Sequence, residues 1–453
     1  MNLLHILIIM VCFKYLYTRD GGYITIINET DSDWVLIEQQ SYYMNFWNFP
    51  NLIKTQSISH IYVEWSRKLF IKNSNKLAIA IYSLVEDREK EFVIQANDFN
   101  IAVFFHNISL DGMPGNSIYN LGWVQNGDVT FVLVEYLGRF TGTSLNATDW
   151  MKNNLDFLGT RTLKELCIPG THNSGMSFLY NRTFFSHPCN TLTQSHTIKE
   201  QLHFGIRYFD IRPILKQGEF RTGHYERIPG SWQGGVGQSI KSIVEEINEF
   251  TNSHCEVIII TLSHSLNTDL KNNKFQEFNQ SEWDRLFHEL DKIDNLYHAL
   301  AMEKLSELTI DELTKKGKTS AVIIVLTDMR VVLNQRWGKG YFYTDSIDIY
   351  DVYSNTNKLK VMVSDQIMKM ALFSRNYYFL LSWTLTQNFK EAILCQTRGI
   401  NGIKNIAKEA NSHLAYILYP QISSNSYPNI ICIDDVKNTE VTTLALAINK
   451  KLI

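Results

Sequence analysis

Two hydrophobic patterns succeed one another along the chain. From about residue 22 to 140, short runs such as YITIIN, WVLIEQ, SHIYVEWS, KLAIAIYSL, EFVIQA, IAVFFHNI and DVTFVLVEYLG are separated by the turn-rich segments NETDSD, VEDREKE and DGMPGNS. Short β-rich runs bounded by turn residues are a strand signal. No amphipathic helix intervenes, so the series predicts an antiparallel β-sandwich over residues 21–142.

The texture changes after the polar stretch TGTSLNATDW, which reads as a linker. Beyond it the apolar runs LCIPG, IRYFDIRP, FRTGHY, EVIIITLS, AVIIVLTD, YYFLLSWTLT and NIICIDD alternate with helix-period segments. The latter include GQSIKSIVEEINEFTNS, SEWDRLFHELDKIDNLYHALAM and NGIKNIAKEANSHLAYIL. Buried strands alternating with helices predict an α/β domain over residues 150–453, a parallel sheet or barrel whose site lies at the C-terminal strand ends.

With 453 residues, 45% hydrophobic and 12% aromatic, the chain has ample material for two cores. The net charge of −3 excludes a broad basic footprint for nucleic acid, so an anionic substrate must be held by a few placed cations. The apolar run LLHILIIMVCF, followed by TRDGG, reads as a signal peptide over residues 1–20 and predicts a secreted protein. Sequons at Asn28, Asn107, Asn146, Asn181 and Asn279 fit that route. Once Cys12 leaves with the leader, five cysteines remain. Cys167, Cys255 and Cys432 adjoin apolar runs and read as buried hydrophobes, while Cys189 in HPCN is the disulfide candidate, with Cys395 taken as its mate.

Residues suited to chemistry cluster where strands end. In LKELCIPGTHNSGMS, His172 opens a polar loop, where an imidazole can act as a base near neutral pH. In GIRYFDIRP, Tyr208, Asp210 and Arg212 alternate and so share one face. Two charges there form either a structural ion pair or catalytic equipment, and an Arg suits phosphate through its planar fork. In FRTGHYERIPGSWQGG, His224 ends a strand and a Gly-rich loop comes after it. Two strand-end histidines, an Arg and an Asp within 53 residues are more specific together than apart.

In order, GTHNS, GIRYFDIRP, GHY, EVIIITLSH, LLSWTLTQ and PNIICIDDV resemble the X-domain of phosphatidylinositol-specific phospholipases C, from about Leu163 to the C-terminus. The resemblance is to extracellular-type members with an N-terminal β-rich domain, and implies a distorted, incompletely closed TIM-like (β/α) barrel. It also implies His172 as general base, His224 as general acid, Asp210 as a residue that orients the attacking hydroxyl, and Asp434 as the carboxylate behind His172, with Asp435 its adjacent alternative. Arg212 falls where metal-independent members hold an arginine, so neither metal nor cofactor is expected. Asp351 and Tyr353 in DIYDVYSNT resemble inositol-binding groups, and His264 replaces a substrate-binding lysine. Asn173 stands where metal-independent members carry Asp; it can hydrogen-bond His224 but cannot raise its pKa as a carboxylate does. The implied substrate is phosphatidylinositol or a glycosylated relative at a membrane surface, cleaved to diacylglycerol and a cyclic inositol phosphate. Asn173 and His264 favour the alternative of a catalytically weak lipid- or glycan-binding protein. A glycerophosphodiester- or sphingomyelin-cleaving barrel, usually dependent on a divalent cation, is a third reading.

Overall fold

The computed structural model describes residues 21–42, 44–66, 77–111, 118–143, 145–270, 274–299 and 304–453. The signal peptide expected over residues 1–20 lies outside them. The chain divides into two compact units, Met1–Ser144 and Leu145–Ile453.

In the first unit a five-stranded and a six-stranded sheet share one core. Ile24, Val63, Trp65 and Phe131 of one sheet meet Trp34, Tyr82, Phe92 and Phe105 of the other. In Leu77–Leu84 burial alternates at first, as the period-two pattern requires. The expectation of a purely antiparallel sandwich is corrected at one pair. Gly21–Glu29 lies parallel to Asp128–Tyr136, with Tyr23 opposite Asp128 and Glu29 opposite Val134. No tight turn joins these strands, and a crossover through the other sheet leaves the parallel direction open to them. The sequon at Asn28 is structural: its amide is buried and donates to the Ser32 and Ile53 carbonyls.

The second unit is built on an eight-stranded, all-parallel sheet. Its spatial order is Tyr341–Tyr343, Ala321–Leu326, Val257–Leu262, Tyr208–Ile211, Ile168–Thr171, Ile430–Ile433, Tyr378–Trp383, Ile349–Tyr350. Within this sheet the two end strands are not paired with one another, so it is an open barrel sheet. Val257–Leu262, Ala321–Leu326 and Tyr378–Trp383 are buried throughout, as strands covered on both faces must be. Among the covering helices, Ile240–Thr251 buries Ile240, Ile243, Val244, Ile247 and Phe250 at helical spacing, and Ser239 caps it by accepting from the Ser242 N–H. Truncating Ile247 to Ala there would cost about 2–5 kcal/mol.

Four expectations are corrected. FRTGHY is not a barrel strand: Glu219–Ile228 pairs antiparallel with Ser231–Ser239 in a separate five-stranded sheet. The glycine-rich run that resembled a loop is itself a strand. A Cβ on Gly234 would come within 2.1 Å of the His224 carbonyl oxygen, so glycine is what lets the strands approach. The helix in SEWDRLFHELDKIDNLYHALAM ends at Leu290 with Asp291 as its C-cap, and the Asp291 carboxylate takes a two-point pair with Arg336 and the Tyr341 hydroxyl. The segment read as a linker folds into the second unit from Leu145 onward. There Trp150 is buried with its indole N–H on the Gly205 carbonyl, and the buried Arg207–Glu256 pair binds the Ala147 and Thr148 carbonyls and the Met151 and Lys152 N–H groups.

Candidate active site

Ile168–Thr171 runs between Tyr208–Ile211 and Ile430–Ile433, so the residues just past the C-terminal ends of these three strands gather at one place. His172 leaves the first with its N–H still donating to the Ile433 carbonyl, at 3.0 Å. Its Nδ1 lies 2.8 Å from Asp434 Oδ1, and Arg212 Nη2 lies 2.7 Å from its Nε2. A guanidinium only donates and a carboxylate only accepts, so the ring is the Nδ1–H tautomer with its Nε2 lone pair on Arg212. Asp435 turns away at φ +53° and accepts from Ser195 Oγ at 2.6 Å, which leaves Asp434 as the carboxylate behind His172.

Asp210 and Arg212 share a face, Arg212 Nε lying 3.3 Å from Asp210 Oδ2. Burial alone would raise the Asp210 carboxyl. The Arg212 charge, the Asn173 N–H at 3.0 Å and the Ser263 hydroxyl at 2.9 Å overcome it and hold the pKa at about 2. Asp210 is therefore a fixed anion that aims Arg212.

His224 enters from the antiparallel hairpin. Its ring centroid lies 6.5 Å from that of His172, nearly perpendicular. Its Nδ1 lies 2.9 Å from the Thr191 carbonyl, which can only accept, so Nε2 carries the lone pair here too. Burial first and Arg212 second push the imidazole down to about 3, so it is neutral at pH 7 in the free protein. The hydrogen bond expected from Asn173 to His224 is replaced by the Thr191 carbonyl. Asn173 sits at φ +43°, a left-handed turn that Asn tolerates. Its side chain is 0% exposed and its amide atoms have no hydrogen-bond partner.

His264, at φ +48°, faces solvent with Nδ1 3.0 Å from Ser263 Oγ; since that hydroxyl donates to Asp210, the imidazole donates to it. Although one side of the residue is open to solvent, the protein enclosing the rest of the ring, and then Arg212, lower its pKa. Asp351 stands within electrostatic reach: loss of solvent, then the Asp210 charge, raise its carboxyl to about 6. Tyr353 is exposed two residues further on, where it makes no ring contact with the histidines. Sequence reading missed Ser263, the Thr191 carbonyl and Gln194. The Gln194 amide donates to the carbonyls of His172 and Ile433 and accepts from the Val436 N–H, clamping two strand ends together. A side-chain motif cannot reveal a carbonyl, and neither Ser263 nor Gln194 had a sequence signal beyond its nearness to a motif.

Among the described residues no group of three or more His, Cys, Asp or Glu side chains is placed to hold a metal ion. A divalent cation does not fit beside Asp210, because the Arg212 guanidinium already occupies its carboxylate.

A cluster of two histidines, an arginine and two aspartates at the open end of a parallel α/β barrel sheet has the make-up of an acid–base site for an anion. Comparisons with known proteins carry the likeness further. The chain is similar to a PI-PLC X-box domain-containing protein of Dictyostelium discoideum, 28% identical over 138 residues, which are 28% of this chain and 18% of that protein. It thus spans under a fifth of the length of that curated relative. Among solved structures, it aligns with a phosphatidylinositol-specific phospholipase C from Listeria monocytogenes at 18% identity and a TM-score of 0.47, covering 67% of this chain and 99% of the other. One from Staphylococcus aureus gives 16% identity, a TM-score of 0.47, and 68% and 99% coverage. No protein-family model matches the chain. The X-domain resemblance read from the motifs is also found in the curated relative.

Proposed function

We propose that the chain is a phosphodiesterase of the phosphatidylinositol phospholipase C type, acting without a metal on phosphatidylinositol or a glycosylated derivative. The carrying observation is the His172 tautomer. Asp434 holds its Nδ1–H, and its Nε2 lone pair faces the guanidinium of Arg212, a cation suited to a phosphate.

When a phosphodiester takes Arg212 by its non-bridging oxygens, His172 Nε2 is released to accept the proton of the inositol 2-hydroxyl. That oxygen forms a bond to phosphorus, the bond from phosphorus to the diacylglycerol oxygen breaks, and the departing oxygen takes a proton from His224. His224 takes up a proton from solvent as the substrate binds, whose negative charge offsets the Arg212 share of what keeps the ring neutral, burial being the larger. Asp210 stays anionic and holds Arg212, while Asp351, Tyr353 and His264 line the inositol side and Asn173 lies buried behind it. The lipid is met at a membrane surface, and the exposed Phe184, Phe185 and Phe389 supply apolar contacts to it. Secretion is part of the proposal, supported by the apolar leader and by the exposed sequon asparagines Asn107, Asn146, Asn181 and Asn279.

A second reading, a lipid-recognition protein with little turnover, is favoured by the neutral His224 and by Asn173, which gives it no charge. One assay separates the two: release of cyclic inositol phosphate from phosphatidylinositol vesicles in EDTA by wild type, His172→Ala and His224→Ala. Activity in the wild type that both variants lose supports the enzyme. Vesicle binding without activity in any of the three refutes it in favour of recognition, and activity abolished by EDTA refutes the metal-free mechanism.

A further inference from the structure

His224 owes its orientation to an unusual support. Its Nδ1 partner, the Thr191 carbonyl, belongs to the four-residue helical turn Pro188–Thr191, whose capping N–H is that of Leu192, on the Pro188 carbonyl. So short a helix has little stability of its own. Its neighbour Cys189 is joined to Cys395, 206 residues away, in the helix Phe389–Arg398. Two amides reinforce the tie: Asn190 Nδ2 donates to the Ala392 carbonyl at 3.2 Å, and Gln396 Nε2 to the Phe185 carbonyl at 2.8 Å. Thr191 also packs closely on the strand opposite His224, since a Cβ on Gly235, the register partner of His224, would lie 3.0 Å from its methyl carbon.

We infer that the Cys189–Cys395 disulfide is the positioning device of His224: through the Pro188–Thr191 turn it holds the Thr191 carbonyl on Nδ1 and so fixes Nε2 as the nitrogen facing the site. A carboxylate partner would hold the Nδ1–H by charge as well as by geometry; a neutral carbonyl holds it by geometry alone, so its placement must be secured from outside. Asn173, buried and unbonded to the ring, gives no second hold. Opening the disulfide leaves His172 and Asp434 untouched, frees the turn, and lets the His224 ring exchange tautomers. Thr191 is thus a positioning residue, acting through His224. The kinetic half of this inference rests on the proposed phospholipase reading, whereas the spectroscopic half does not.

The test is made on the full chain labelled with ¹⁵N-histidine, oxidised and after treatment with tris(2-carboxyethyl)phosphine. In the oxidised protein at neutral pH, His224 shows one protonated and one bare ring nitrogen, assigned to Nδ1 and Nε2. On reduction this pair moves toward the averaged pattern of mixed tautomers while the His172 signals stay, and kcat on phosphatidylinositol falls about tenfold with KM little changed. Unchanged His224 nitrogens in a reduced, folded protein overturn the inference. Should reduction also erase the His172 signals, so that the fold itself is lost, a protein with the Thr191–Leu192 amide replaced by an ester decides. With the disulfide closed, the ester weakens the Thr191 carbonyl as an acceptor and removes the Leu192 N–H that closes the turn on Pro188; the same shift of His224 upholds the inference, and its absence overturns it. A wild type that shows the tautomer shift but no turnover refutes the phospholipase reading and leaves the positioning role standing.

Discussion

The two histidines are supported in opposite ways. His172 comes directly after a strand in the middle of the parallel sheet, and its Nδ1–H rests on a carboxylate just past the adjacent strand. His224 sits within an antiparallel hairpin, and its Nδ1–H rests on a neutral carbonyl in a short turn tied by a disulfide. The carboxylate behind His172 accepts its Nδ1–H and leaves Nε2 as the nitrogen open to a proton. Nothing equivalent stands behind His224, where burial and Arg212 favour the neutral ring. In the proposed mechanism the base is therefore held ready before substrate arrives, and the substrate's own charge removes only the Arg212 share of what keeps the acid neutral.

That contrast can be broken most severely by removing either ring. His172→Ala and His224→Ala are each expected to lower cyclic inositol phosphate release by roughly 10²- to 10⁴-fold, with vesicle binding retained. Loss of binding along with activity would show that the rings serve the fold. Asp434→Ala, which leaves the His172 tautomer unrestrained, is expected to lower kcat on the order of 10²-fold with KM little changed; full activity would deny Asp434 its role.

Two milder tests sharpen the comparison. Asn173→Asp brings a carboxylate beside the site, and if its charge reaches His224 the ring's pKa rises and turnover increases by about tenfold per unit of pKa. A pH–rate profile unaltered by this substitution would show that the charge does not reach the ring. Phe184→Ser with Phe185→Ser is expected to weaken vesicle binding by about tenfold while leaving hydrolysis of a soluble inositol phosphodiester unchanged; equal binding would remove those rings from the membrane surface.

The smallest effect is on stability. His224 has a folded pKa of about 3 against about 6.5 unfolded, so below 6.5 the unfolded chain takes a proton that the folded one refuses. Stability contributed by this site is present above pH 6.5 and falls as pH drops from there toward 3. The charged and titratable groups facing the ring are Arg212, His172 and Asp210, and Asp210, at about 2, stays ionised across that window. Melting temperature in His224→Asn, which keeps a side-chain N–H for Thr191, is expected to fall less over this range than in the wild type; parallel curves would contradict the assignment.

His172, Asp210, Arg212 and Asp434 were legible in the sequence because each is a side chain at the end of an apolar run, where strand geometry forces convergence. The choice between Asp434 and Asp435 was not, since it depends on the positive φ that turns Asp435 toward Ser195. The strand Ser231–Ser239 was hidden because glycine marks a loop and a close strand pair alike, and only the partner backbone tells them apart. The helix past Leu290 was overcalled because its apolar period continues beyond the C-cap at Asp291. The cysteine pair was legible, but not its bearing on His224, which runs through a carbonyl.

The contact between His172 and Asp434 closes across 262 residues. A growing chain contains both histidines and Arg212 long before it contains Asp434, so ribosomal synthesis delivers the restraint on His172 more than two hundred residues after the ring itself. The last strand, Ile430–Ile433, must then insert between Ile168–Thr171 and Tyr378–Trp383 before Asp434 can reach the ring. On the proposed phospholipase reading, a site assembled in this order stays unarmed until Ile430–Ile433 is in place, and chains stopped at residue 428 should release no cyclic inositol phosphate however well their earlier strands have folded.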